Sequence, residues 1–240
     1  QFRTVTIRSS QAKLHESLSL DSTQKFRDAK PEKRRLPLDA NRPQHLSAAT
    51  AKLTQLSQLR DYDAAMAAYR EIQDPDDTLK IAALGLCVKA LWWPQACEIW
   101  TSISQKSTIG YSTMIELCAR LNRSSDAELL FQEMSSHQVE PSCITYTSMI
   151  KAFSNCGESA KALEMFNAMQ PSLVNASVGA HQIAYQVVMA AFSREGDYAT
   201  TRELFIRMTQ SGVAPDRGHY HSLMAACAGR GDAATAQLIF

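Results

Sequence analysis

The chain has 240 residues, with 25 Lys plus Arg against 24 Asp plus Glu, 45% hydrophobic residues, 9 Gly and 8 Pro. This is globular composition, long enough for one large or two small domains and neither collagen-like nor low-complexity. A net charge of +1 excludes the simplest kind of nucleic-acid binder, one that is basic throughout. The total nevertheless conceals two parts: residues 1–45 hold 10 Lys/Arg and 5 Asp/Glu, and the remainder hold 15 and 19. A basic leader precedes a mildly acidic body.

The leader, residues 1–45, has scattered apolar residues without a period, prolines at 31, 37 and 43, and the cluster Lys33, Arg34 and Arg35. Such a segment buries too little surface to fold alone and is expected to be largely extended. Its Arg- and Ser-rich opening fits what remains after removal of a targeting peptide. The basic cluster reads either as a solvated tether or as a docking point on RNA or an acidic protein surface.

From residue 46 onward one pattern recurs. Aromatics fall at Tyr69, Trp100, Phe131, Phe166, Phe205 and Phe240. A small residue precedes each by four positions (Ala65, Ala96, Ala127, Ala162, Thr201, Ala236), and an aliphatic precedes each by sixteen (Leu53, Leu84, Ile115, Ile150, Met189, Met224). Ile72, Ile103, Met134, Met169 and Met208 follow three positions later. Tyr111, Tyr146, Tyr185 and Tyr220 form a further column, and Gly157, Gly196 and Gly231 mark turns. Within a unit, Tyr111, Met114, Ile115 and Cys118 keep the i, i+3, i+4, i+7 spacing of an amphipathic helix, and so do Ala127, Leu130, Phe131 and Met134. Each unit is therefore a pair of helices. Ser125 and Glu128 have the spacing of a capping box for a second helix, and Pro141 and Pro215 close their hairpins. The units run 46–76, 77–107, 108–142, 143–181, 182–216 and an incomplete 217–240. Because the last stops in mid-helix, further repeats are expected to follow.

The most apolar stretch, Ile81–Trp93, is 13 residues long and contains Lys89, too short to cross a membrane. Six cysteines form no CxxC pair and accompany no secretory signal, so they read as reduced, mostly buried thiols. His219 and His221 with Cys227 would be a poor metal set, since positions i and i+2 of a helix point apart. Trp92 and Trp93, in a turn before Pro94, suit either a protein contact or packing within a short unit. No phosphate loop, nucleophile elbow, HExxH or deaminase motif is present, so no catalysis, cofactor, metal or small-molecule substrate is expected.

The stretches 144–153 and 162–169, with the ending Gly212-Val213-Ala214-Pro215-Asp216, resemble the pentatricopeptide repeat family. The match is good over 108–240 and only an outline over 46–107, where both units are four residues short and lack the tyrosine. The resemblance implies an all-α, right-handed superhelical solenoid of stacked antiparallel helix pairs, an organellar location in mitochondrion or chloroplast, and single-stranded RNA bound one base per repeat. Bases would be read by the residue after the tyrosine with the last residue of the unit: Ser112 with Ser142, Thr147 with His181, Gln186 with Asp216, and His221 opening another. None is a combination the family favours. Ile109, Ile144 and Ile183 match its base-sandwiching positions, whereas the fourth is Gly218. Lys89, Arg120 and Arg194 occupy its phosphate-contact column, and Asn155 and Gly229 do not.

Two functions follow. The first is a non-catalytic scaffold within a large organellar complex or ribonucleoprotein, touching protein subunits and, weakly, single-stranded or ribosomal RNA. It draws on the acidic array, the off-pattern reading pairs, the insertion around residues 170–181 and the tryptophans. The alternative is a sequence-specific organellar RNA-binding protein for RNA processing, stability or translation.

Overall fold

A computed structural model of the chain describes residues 43–173 and 178–229. Most of the leader with Lys33, Arg34 and Arg35, residues 174–177, and Gly231, Ala236 and Phe240 lie outside the described residues. Among those described there are eleven helices and no strand: α1 Gln44–Gln58, α2 Tyr62–Arg70, α3 Asp77–Ala90, α4 Trp93–Ser102, α5 Thr108–Arg120, α6 Ser124–Ser136, α7 Cys143–Asn155, α8 Ser159–Leu173, α9 Val178–Arg194, α10 Tyr198–Gln210 and α11 Arg217–Gly229.

The odd-numbered helices pack side by side in chain order and form one layer. Each even-numbered helix packs against the first helix of its own hairpin and that of the next, while even-numbered helices meet one another only through long side chains such as Lys161 on Glu128 and Arg207 on Asn167. The small-residue column explains the close approach within a hairpin, since Ala65, Ala96, Ala127, Ala162 and Thr201 are all fully buried. Met134, Met169 and Met208 are core residues, each with no exposed surface.

The aromatic column has a partner in the following hairpin. Trp100 meets Tyr111, Phe131 meets Tyr146, Phe166 meets Tyr185 and Phe205 meets Tyr220, with ring centroids 4.9, 5.6, 4.9 and 5.3 Å apart and the rings steeply tilted. Edge-to-face pairs of this kind contribute about 0.5–1.5 kcal/mol beyond their buried area. The pairing ties the second helix of one unit to the first helix of the next.

Turns between the two helices of a hairpin share one device. Residues Arg60, Leu91, Asn122, Gly157 and Gly196 adopt left-handed backbone angles. The next N–H reaches back five residues to a helix carbonyl: Trp92 to Cys87 at 3.0 Å, Arg123 to Cys118 at 2.9 Å, Glu158 to Phe153 at 2.9 Å. This is a Schellman closure, which glycine enters without the Cβ penalty. Leu91, at φ 60°, carries that penalty.

One expected cap is corrected. Helix α6 begins at Ser124, its N-cap residue Arg123 makes no side-chain cap bond, and Ser125 is an exposed helical residue. The Ser124 hydroxyl instead donates to Glu158 Oε1 of the next unit at 2.5 Å. A reciprocal capping box occurs at Ser142 and Thr145.

Burial pushes the Cys118 thiol up to about 12 and Cys87 to about 11. With the thiolate so disfavoured, neither should react with Ellman's reagent near pH ~8 until the chain unfolds, which counting modified thiols in native and denatured protein will check. In urea melts, Phe166→Ala is expected to cost about 3–5 kcal/mol. Leu91→Gly should gain about 0.5–1 kcal/mol by relieving the left-handed strain.

Candidate nucleic-acid interface

The first helices α5, α7 and α9 each carry their candidate residues on one stripe, from which Thr147 still reaches the Met169 sulfur of α8 at 4.0 Å. In α5 the stripe runs Ile109, Ser112, Glu116, Arg120; in α7, Ile144, Thr147, Lys151, Asn155; in α9, Ile183, Gln186, Ala190, Arg194. The spacing i, i+3, i+7, i+11 keeps these residues on one helical face. The opposite face carries the buried Tyr111, Met114, Ile115 and Cys118. Ile109 and Ile183 are 44% and 50% exposed, uncommon for isoleucine, while Ile144 is half-buried.

Along this open face, one cleft of about 350 Å³ lies between α7 and α9. Lys151, Ser154 and Asn155 line it from α7, and Ile183, Gln186 and Arg194 from α9, with Val187 and Ala190 between them. The structure thus gathers a sandwiching candidate, a base-reading candidate and a phosphate candidate into one concavity. Lys151 and Ser154 were missed in the sequence. The signal available for Lys151 was register: it stands seven residues after Ile144 and four after Thr147, on their stripe.

The paired readers meet different fates. Gln186 and Asp216 converge on Gly218. A Cβ built there would collide with Gln186 Nε2 and come within 3.2 Å of Asp216 Oδ1. Glycine in the fourth sandwiching position therefore makes room for the Gln186 amide. Ser112 and Ser142 are linked through Thr145, whose Oγ1 lies 2.7 Å from Ser112 Oγ and 3.1 Å from Ser142 Oγ. Ser112 is buried and also donates to the Thr108 carbonyl at 2.8 Å, so its hydroxyl serves the helix packing. The Thr147 hydroxyl donates to the Cys143 carbonyl at 2.6 Å. His181 lies inside the first turn of α9 rather than ahead of it, because that helix starts earlier than the unit boundary anticipates. His221 is exposed on α11.

Asp216 is heavily engaged. Its Oδ1 accepts from Gly218 N at 2.8 Å and His219 N at 3.3 Å and lies 2.7 Å from His219 Nδ1. The imidazole is fully buried, with Nε2 3.0 Å from the Gln182 carbonyl oxygen. Partial burial pulls the Asp216 carboxyl up, but His219 and the backbone N–H groups outweigh it and hold it below its ordinary value.

The three basic candidates differ in what they touch. Lys89 Nζ donates to Ser57 Oγ at 2.6 Å. Arg194 Nη1 donates to the Ser154 carbonyl and hydroxyl at 3.0 and 2.9 Å and to Asn155 Oδ1 at 3.3 Å. Arg120 Nε instead pairs with the Glu116 carboxylate at 3.1 Å. Trp92 and Trp93 are partly buried and pack on the core, and the Arg123 guanidinium lies 4.0 Å from the Trp93 ring centroid. Among the described residues no group of three or more His, Cys, Asp or Glu could hold a metal ion, and no helix is long and apolar enough to cross a membrane.

These features define a helical-repeat protein whose first-helix layer carries a partly open face, interrupted at the buried Ser112. Family models described as PPR repeat family, PPR repeat and pentatricopeptide repeat domain match residues 106–155, 144–170 and 172–230, together more than half of the chain. The chain belongs to the pentatricopeptide repeat family. It is 26% identical over 119 residues to a chloroplastic pentatricopeptide repeat-containing protein of Arabidopsis thaliana, matching 50% of this chain and 15% of that protein. It is 25% identical over 101 residues to the mitochondrial 15S rRNA processing factor CCM1 of Vanderwaltozyma polyspora, 42% of this chain and 11% of that one. The chain thus spans only a small part of the length of these relatives. Its fold is that of the solved repeat protein PPR10 in complex with an 18-nt psaJ RNA element, at a TM-score of 0.70, 18% identity, and coverage of 81% of this chain and 29% of that one. The structure of PPR10 from maize aligns over 80% of this chain and 30% of that one, at a TM-score of 0.63 and 17% identity.

The depressed Asp216 carboxyl has a pH consequence. Its contribution to stability is complete above the ordinary carboxylate range, around pH ~4, and is lost as the pH falls through its lowered value. Thermal melts recorded toward lower pH should therefore show a shallower loss in Asp216→Asn than in the parent.

Proposed function

We propose that the chain is a non-catalytic, organellar RNA-binding repeat protein that holds single-stranded RNA along the open face of its first helices. The observation that carries this reading is the α7–α9 cleft. There Ile183 offers an apolar surface for a base, Gln186 both donates and accepts, and Arg194 supplies a cation with no carboxylate partner among the described residues. Stacking on such a surface tolerates any base, because each has a π-face. Mitochondrion or chloroplast is the location, supported by the names of the relatives.

The binding is weak and its sequence preference shallow. Ser112 and Thr147 spend their hydroxyls on the protein, Asp216 is engaged by His219, and the body carries more acidic than basic residues. Those features also favour a second reading, in which the array is a scaffold subunit of a large organellar ribonucleoprotein and the same face contacts protein subunits.

Fluorescence anisotropy of the full chain with short labelled single-stranded RNAs tests the first reading. Arg194→Gln should weaken binding and reduce the slope of log affinity against log salt by about 0.7, the share of one phosphate contact on a single strand, whereas Arg194→Lys should keep the slope. A slope unchanged by Arg194→Gln would count against the cleft as the RNA path. Protein partners that survive RNase treatment, with no RNA affinity at all, would favour the scaffold.

A further inference from the structure

We infer that Glu116 is a built-in brake on this face: its one carboxylate is shared by two cations that would otherwise meet RNA phosphates, offsets one of their two charges, and so lowers the affinity of the array. The inference rests on the RNA-binding reading above. Glu116 Oε1 accepts from Arg120 Nε at 3.1 Å. Its Oε2 accepts from Lys151 Nζ at 3.3 Å and from the Ser148 hydroxyl at 3.1 Å. One carboxylate, 23% exposed, therefore engages a cation of its own helix α5 and another on α7. The pairing bridges two neighbouring units along the stripe that carries Ile109 and Ser112 on one helix and Ile144 and Thr147 on the other.

Comparison within the repeat sharpens the point. Five residues after each tyrosine, and at the equivalent places in the two units that lack one, stand Thr54, Gly85, Glu116, Lys151, Ala190 and Ala225. Glu116 is the one carboxylate in that column. In the column of basic residues, Lys89 and Arg194 bond to hydroxyl, carbonyl or amide oxygens, and only Arg120 is met by a carboxylate. The neutral partners of Lys89 and Arg194 leave their charge uncompensated, whereas Glu116 cancels charge in the middle of the path.

Partly exposed ion pairs are weak, so a phosphate can compete for Arg120 and Lys151, but it must do so beside a remaining negative charge. The result is a reduction in affinity rather than a block. Each phosphate contact is worth roughly three-fold in affinity over a moderate salt range, and the two cations share one carboxylate, so removing it frees one unit of positive charge and should tighten binding by roughly three-fold and steepen the salt slope by about 0.7.

The test is anisotropy of the full chain with a short labelled mixed-sequence single-stranded RNA across a salt series. Glu116→Gln keeps the side-chain shape and an acceptor for Ser148, and should bind about three-fold tighter with the steeper slope. Glu128→Gln is the charge control: Glu128 pairs with Lys161 between α6 and α8 at 3.0 Å, in the second helices, and its loss changes net charge equally while leaving affinity nearly unaltered. Arg120→Gln should weaken the parent less than Arg194→Gln does and should cancel much of the gain in Glu116→Gln. This double cycle holds even if Glu116→Gln alters stability, because the parent comparison is made without it. If Glu116→Gln binds no tighter while Arg194→Gln still weakens binding, the brake is refuted and the RNA reading stands. If Arg120→Gln weakens the parent as much as Arg194→Gln does, Glu116 is not masking Arg120 and the inference fails. If neither Glu116→Gln nor Arg194→Gln changes anything, the RNA reading falls with it.

Discussion

From Trp100 onward, the stacking of this array depends on an aromatic ring on one hairpin finding the tyrosine of the next. A lone helix pair exposes its aromatic on the side away from its partner, and the following unit covers it, with a tyrosine ring in four cases and with aliphatic core residues at Tyr69. The four observed pairs, from Trp100–Tyr111 to Phe205–Tyr220, keep nearly constant separations despite unit lengths that vary. Length variation is absorbed in turns and helix ends instead, as where α9 begins at Val178 and carries His181 inside its first turn. The small-residue column works with the rings, since fully buried Ala127 and Ala162 allow the backbone proximity that brings ring and tyrosine together.

That stacking has a functional by-product. Because second helices pack mainly against first helices, one face of each first helix is occupied and the other is left open. The stripe of α5, α7 and α9 carries Ile109, Ile144 and Ile183 at equivalent positions. Exposed isoleucine would be costly in isolation, yet here it follows from register: the apolar positions that build the core fall on the opposite face of the same helix.

Much of this was legible in the residues. The columns of aromatic, alanine, aliphatic and methionine residues specified helix pairs and the core, because a 3.6-residue period leaves few other ways to bury them. Turn chemistry was half legible: Gly157 and Gly196 announced a left-handed residue, while Arg60, Leu91 and Asn122 occupy the same conformation without announcing it. The expected cap at Ser125 failed on register. The helix starts at Ser124, one residue before the expected cap, so Ser125 already has helical geometry, and the Ser124 hydroxyl donates to Glu158 of the neighbouring unit.

The sequence by itself determined the repeat, the helical class, the core and the columns in which site residues must stand, since these follow from periodicity along one chain. Tertiary structure alone decided which of those residues are available. Ser112 is consumed by Thr145, Gln186 turns over Gly218, Arg194 is held by Ser154, and Arg120 and Lys151 share one carboxylate. Each of these partners lies in a different unit, more than thirty positions away except for Arg120, which reaches Glu116 within its own helix. Hydrogen bonds and ion pairs act over a few ångströms in space, and only the stacking of one hairpin on the next brings such groups within that reach.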